Sequence, residues 1–384
     1  MDDLHANESI LLASYIGKAM KWPAEYKDVN MMSGYVIFEN EIDFSSKENG
    51  KAERFVGVDI SRDNTLSSYS DIDGIMKFNL ESGQSVAFRK EPKYANHVMW
   101  KDFTIIFTTM APFQLWKGDT EVLYPLSYPD RYLLKTVSMG YKTPCKLASV
   151  HNGLLYYVCQ HDSSLVRISI NDLLSSDSTG EVAKFVNIAS NVVDFTISSR
   201  KVIYCTENSV NILYSRQTYR PSWTTDYSDR HTRHARLEGD CLVVSAVAVA
   251  KYWIIAASLN AGINSDGVKQ YYVKAHLYDV RLRETDNCVI PREFGLFKTP
   301  CKSLTPIHKI RTIPRLRASI VIMLGLYSRL SLLAVARGRM TVLQELYKTK
   351  NEYINGLAVD KDMNIYVSGI GHISKIRLSC GIKL

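Results

Sequence analysis

The feature that most constrains this chain is a rhythm. Short runs of β-branched and aromatic residues, among them "GIMKFNL", "FTIIFTT", "GLLYYVCQ", "KVIYCTE", "YWIIAASL", "SIVIMLGLY" and "LSLLAVA", recur along its length, broken by Gly, Asn, Asp and Ser. Runs of this size bounded by turn residues are strands. They gather in groups of three or four every 45 to 55 residues or so, the period of a ring of repeated small sheets. The groups divide near 30–93, 94–140, 141–190, 191–239, 240–295, 296–349 and 350–384.

The expected fold class is therefore all-β, a single β-propeller of about seven four-stranded blades. One exact repeat supports the period. KTPCK occurs at 142–146 and at 298–302, 156 residues apart, close to three blades. Each copy precedes a connector and then a buried strand, so the two mark similar places in a ring. Pro144 and Pro300 suit a bend before a strand, having a fixed φ and no donor. The last group ends in "INGLAVD", "NIYVSGI" and "ISKIRLS" with only "CGIKL" to follow, one strand short. The spacing predicts that "GYVIFENEI" at 34–42 supplies the missing strand and removes two exposed edges.

The N-terminal segment 7–22 carries the best helix signal. Leu11, Leu12, Tyr15, Ile16, Ala19 and Met20 share a face, Asn7 caps and Pro23 stops. The division is thus a helical extension at 1–29 and a propeller at 30–384. Polar segments at 45–53, 61–73, 173–181 and 260–267 are expected as blade loops.

Apolar residues at 46% and charged residues at 22% exclude a wholly disordered chain. The start "MDDLHANESI" has no basic segment before an apolar core, which speaks against a secretory signal. The apolar stretch 318–338 is interrupted by Arg329, so it is expected as two buried strands, not a membrane span. The 7 cysteines are dispersed with no CxxC pair, the pattern of reduced thiols in a cytoplasmic or nuclear protein.

Three segments resemble known propeller families. "AHLYDVRLRET" at 275–285 looks like the third strand of a WD-repeat blade, with Tyr278 and Asp279 in place of Trp-Asp. "GIMKFNLESGQSV" at 74–86 is similar, with Phe78 and Asn79 there. "INGLAVDKDMNIYVSG" at 354–369 resembles an NHL-type blade. The resemblance implies a rigid, non-catalytic platform for proteins or peptides, a subunit of a larger assembly, with no cofactor. A second resemblance, to lactonase-like propellers, implies a metal-dependent hydrolase with Asp360, Asp362 and Asn355 as candidate ligands; an acid in "DKD" is first of all a turn former. No phosphate-binding Gly-rich loop precedes a helix, and no GxSxG elbow occurs.

Charge points to the partner. Residues 1–192 hold 19 Lys and Arg against 24 Asp and Glu, and residues 193–384 hold 28 against 15, so −5 and +13 give the net +8. Two stretches concentrate the positive charge. In 214–239, Arg216, Arg220, Arg230, Arg233 and Arg236 are interleaved with Tyr219, Trp223, Tyr227, His231 and His234, the pattern either of a long inter-strand loop whose arginines pair with Asp226, Asp229 and Glu238 or of one that grips an acidic peptide or stacks on bases. In 297–319, Lys298, Lys302, Lys309, Arg311, Arg315 and Arg317 stand with no acid among them. Such a connector must face water or an anion. An acidic protein partner is the expectation, with direct nucleic-acid binding and anionic lipid as alternatives.

Overall fold

The computed structural model describes residues 36–43, 55–60, 65–70, 74–79, 85–89, 96–100, 103–107, 113–117, 133–137, 145–171, 186–198, 201–214, 232–237, 243–263, 267, 269–290, 307–314, 319–325, 330–346, 356–360, 362, 364–368 and 372–378. The expected helix at 7–22 lies outside them.

The described strands pair into seven four-stranded antiparallel sheets. The first holds β2 (Phe55–Ile60), β3 (Thr65–Ser70), β4 (Gly74–Asn79) and β5 (Ser85–Arg89); the second holds β6 (Asn96–Trp100), β7 (Phe103–Phe107), β8 (Phe113–Lys117) and β9 (Leu133–Val137). The third comprises β10 (Cys145–His151), β11 (Leu154–Cys159), β12 (Leu165–Ser169) and β13 (Val186–Ala189). The fourth comprises β14 (Asp194–Ser198), β15 (Lys201–Thr206), β16 (Ser209–Tyr214) and β17 (Thr232–Arg236). In the fifth are β18 (Val243–Ala250), β19 (Trp253–Ile263), β20 (Lys269–Tyr278) and β21 (Glu284–Ile290), and in the sixth β22 (Ile307–Pro314), β23 (Ser319–Gly325), β24 (Leu330–Ala336) and β25 (Arg339–Leu346). The last joins β26 (Gly356–Val359), β27 (Ile365–Ser368) and β28 (His372–Leu378) to β1 (Val36–Asp43) from the other end of the chain.

That closure is the one the sequence leads one to expect. β1 runs antiparallel to β28, from Val36 opposite Leu378 to Asp43 opposite His372. The first strand of each sheet touches the first strand of the next, from β2 through β6, β10, β14, β18, β22 and β26 and back to β2. The seven inner strands thus form a closed wall around a central channel. Four of them, β2, β10, β18 and β22, carry a bulge near their start, which bends the strand as it enters the wall.

Packing follows from which strands are covered on both faces. β23 and β24 are buried at every position, and they are the two halves of the apolar stretch 318–338. Ala246, Ala248 and Ala250 of β18 pack with Val321, Met323 and Leu333 of the sixth sheet. Ile322, Leu324 and Ala334 of the sixth sheet pack with Leu357, Ile365 and Val367 of the seventh. Each core layer therefore lies between neighbouring sheets, at about 10 Å spacing.

Three expected loops prove to contain strand. Within 61–73, Thr65–Ser70 is β3, and its Leu66, Ser67 and Ser68 are buried. The serines are tolerated there because β2 and β4 flank the strand and satisfy its backbone. Within 260–267, β19 continues to Ile263 against Lys269 of β20. The basic connector 297–319 is likewise strand over Ile307–Pro314, held by buried Ile307, Ile310 and Ile313. The KTPCK copies stand at the entrance to the first strands of the third and sixth sheets, three apart, but at different offsets from them. Cys145 is the first residue of β10, whereas Cys301 precedes Ile307 by six positions.

Candidate functional site

Three polar constellations stand out among the described residues. The first lines the channel. Lys309 and Arg311 lie two apart on β22, on one side of the strand. Asp194 opens β14 and Asp59 lies near the end of β2. The Asp194 carboxylate accepts the Val247 N–H of β18 at 2.9 Å, which ties the fourth sheet to the fifth. Burial pushes the Asp194 carboxyl up to about 6, against the pull of backbone N–H groups of Val247 and Phe195 and of Arg311 and Lys309. Burial likewise pushes the Lys309 ammonium down to about 7; the Arg311 charge adds to this, while Asp59 and Asp194 oppose it. Arg311 is exposed to the channel, and desolvation holds its guanidinium below its usual value while Asp59 and Asp194 oppose this.

The second lies inside the fifth sheet. Asn260 Nδ2 donates to Ser258 Oγ at 2.7 Å, Ser258 Oγ lies 2.8 Å from His276 Nε2, and His276 Nδ1 lies 3.1 Å from Glu284 Oε1. With Ser258 donating to Nε2, the imidazole donates from Nδ1 to Glu284. Burial holds His276 below its usual value, and the Glu284 carboxylate works against that. Ser, His and acid stand here in the order of a hydrolytic relay. Ser258 has no exposed surface, however, and its oxygen already receives Asn260, so no substrate reaches it from the outer surface. The chain cross-links β19, β20 and β21 through their side chains. Sequence reasoning misses it because its members are isolated polar residues on three separate strands.

The third is a surface at one end of the ring. Tyr214, the last residue of β16, has Lys201 Nζ 5.4 Å and the Arg233 guanidinium 5.6 Å from its ring centre. Its hydroxyl donates to the Val280 carbonyl at 2.8 Å, in the β20–β21 turn of the next sheet. Asp279 shapes that turn: its carboxylate accepts the N–H groups of Arg281 and Arg283 and pairs with the Arg283 guanidinium at 2.7 Å. Val280 and Arg281 are left exposed. At the same end of the fifth sheet lies the β18–β19 turn, Lys251 and Tyr252, with Tyr252 78% exposed. The β24–β25 turn of the sixth sheet, Arg337 and Gly338, lies against Trp253, where a Cβ on Gly338 would come within 3.0 Å of the indole. Arg337 and Arg339 are exposed beside it. Cations and open aromatic or aliphatic surface therefore run across the ends of the fourth, fifth and sixth sheets.

Of the residues expected to bind a partner, Arg233 and Arg236 lie exposed on β17, a strand where a loop was expected. Lys309 and Arg311 line the channel on β22, so the two stretches are not brought onto one surface. Arg216, Tyr219, Arg220, Trp223, Arg230, Lys298, Lys302, Arg315 and Arg317 lie outside the described residues. Asp360 is occupied as a turn former: its carboxylate accepts Asn364 N–H at 2.8 Å, Asn364 Nδ2 at 2.7 Å and the Tyr366 hydroxyl at 3.2 Å. Asp362 is exposed, and Asn355 lies outside the described residues.

Comparison with known proteins rests on structure alone. No family model and no curated protein sequence matches the chain. Among solved structures, the N-terminal domain of Nup159 matches with a TM-score of 0.58 at 12% identity, over 90% of this chain and 95% of that one. The WD40 β-propeller domain of Doa1 matches at 0.56 and 12%, over 89% and 96%. The chain has the fold of these domains, a β-propeller. The third strand of the first sheet, β4, ends in Phe78-Asn79, and that of the fifth, β20, ends at Tyr278 with Asp279 next in the turn. Streptogramin B lyase matches the same propeller at 0.55 and 12% identity, over 91% and 100%, so an enzyme shares this architecture. No described helix is long and apolar enough to cross a membrane.

Proposed function

We propose that this chain is a non-catalytic interaction scaffold, a subunit of a larger cytoplasmic or nuclear assembly. In this reading each of the seven sheets is one blade, residues 30–384 form the ring and 1–29 a helical extension beside it. One observation carries the reading: cations and open aromatic surface gather at one end of three neighbouring sheets, with Tyr252 78% exposed among them. An exposed ring flanked by Lys251, Arg281, Arg337 and Arg339 has the composition of an interface anchor. The flanking cations favour an acidic protein segment, and the acids Asp279 and Glu284 at the same end disfavour a continuous phosphate backbone. Assembly with proteins is also where a solved neighbour is found, since Nup159 is bound to Dbp5 in a structure from S. cerevisiae.

The test is affinity capture from the source cells at low and high salt. The wild-type chain is expected to retain a stoichiometric protein partner. A variant with Tyr252→Ala, Arg281→Glu, Arg337→Glu and Arg339→Glu, folded as judged by its melting curve, is expected to lose it. Equal retention by the two would remove this surface from the account.

A further inference from the structure

The channel cluster has an imbalance of its own. Lys309 and Arg311 project from the same side of an inner strand, about 7 Å apart along it. Among the described residues neither forms an ion pair; Arg311 Nη1 donates to the Ile310 carbonyl at 3.2 Å. Their opposite charges come from other blades, Asp59 on β2 and Asp194 on β14. Asp194 is turned to backbone, its Oδ2 holding the Val247 N–H, and Asp59 Oδ1 accepts the N–H of Ile60 at 3.0 Å. The strands packed on β22 are β18, β23 and β26, with sequences VVSAVAVA, SIVIMLG and GLAV, and none has a titratable side chain. Two like charges thus share one apolar wall, with carboxylates near enough to be felt but committed elsewhere. Like charges side by side disfavour each other, and an anion lying between the cations relieves this.

We propose that the central channel binds an anion bearing a compact oxyanion group, phosphate or carboxylate, between Lys309 and Arg311, more tightly as the solution is acidified from pH 8 to 6. The pH sense follows from both sides of the channel. With Lys309 titrating at about 7, roughly a tenth of it is charged at pH 8 and nine tenths at pH 6. Asp194, at about 6, loses part of its negative charge over the same interval. Both changes make the channel more positive on acidification, and a bound oxyanion draws a further proton onto Lys309. Arg311 stays charged and supplies the two-pronged donor that a planar carboxylate or a phosphate takes up.

The experiment is calorimetric titration of the purified full chain with inorganic phosphate and, separately, with citrate, in chloride of matched ionic strength at pH 6 and pH 8. Saturable binding at pH 6 that weakens about tenfold at pH 8 is expected for at least one probe, and which probe it is assigns the oxyanion. Lys309→Met and Arg311→Met are expected to abolish it. Lys309→Arg, which keeps the charge at every pH, is expected to bind while losing most of the pH dependence; this arm also serves if the methionine variants fold poorly. No saturable binding of either probe by the wild type at pH 6, or unchanged binding in folded Lys309→Met, overturns the proposal.

Discussion

Replacing Asp360 with alanine separates a turn-building aspartate from a metal-ligating one. The carboxylate joins the N–H of Asn364, its Nδ2 and the Tyr366 hydroxyl, at 2.8, 2.7 and 3.2 Å. Asp360, Asn364 and Tyr366 are all buried, so the change leaves donors that water does not readily reach. One stranded buried donor costs about 1 to 3 kcal/mol. The three share one acceptor group and do not add in full, so the expected loss is about 3 kcal/mol. In a domain of this size that lowers Tm by about 5 °C. Asp360→Asn keeps an acceptor for the Asn364 N–H but sets amide against amide at Asn364 Nδ2, and is expected to lose roughly half as much. The assay is scanning calorimetry of the full chain, with and without chelator and with added calcium. An unchanged Tm in Asp360→Ala would refute the energetics. A wild-type Tm that falls with chelator, with no such response in the variant, would show that Asp360 serves a metal.

Four further outcomes are expected. Gly338→Ala places a Cβ 3.0 Å from the Trp253 indole at a φ of +76°, and is expected to cost about 1 to 2 kcal/mol, read as a shift in urea midpoint. Lys309 titrates below 10.5, so the stability tied to it is present at high pH and is lost as pH falls through about 7; Lys309→Met should melt later than the wild type at pH 6 to 7, by about 2 kcal/mol after allowance for channel water, and the gap should close toward pH 10. Deleting residues 1–43 exposes the edge of β28 and should give a chain that melts earlier and self-associates in sedimentation. Cys288, pushed up to about 12 by burial and by Asp286, should alkylate at pH 8 more than tenfold more slowly in the native chain than in denaturant.

Most middle strands were legible in the sequence, β3 being an exception read as loop, and the flanking strands were legible only in part, for a physical reason. β11, β15, β19, β23 and β24 lie between two partners and under neighbouring sheets, and their sequences are almost wholly apolar. Inner strands meet the channel on one edge and admit charge, which is why Ile307–Pro314 looks like a basic connector until the buried Ile307, Ile310 and Ile313 are seen interspersed among Lys309, Arg311 and Thr312. Outer strands face water, so "TRHAR" of β17 and "ETDNCVI" of β21 carry little apolar signal. The division points at 94, 141, 191, 240, 296 and 350 nevertheless fall between successive sheets, because loop clusters mark them as clearly as strands do. Site residues were harder to see. Lys251, Tyr252, Val280 and Arg337 belong to two-residue or tight turns far apart in sequence, and only the stacking of sheets brings them side by side.

The central claim, that the basic and aromatic end of the fourth to sixth sheets is where a partner protein binds, is tested most directly by hydrogen exchange on the chain alone and in its captured complex. The account predicts slower exchange at 201–202, 251–253, 279–283 and 337–340 in the complex, with the inner strands unchanged. Protection confined to other parts of the ring, or none at all, would contradict it.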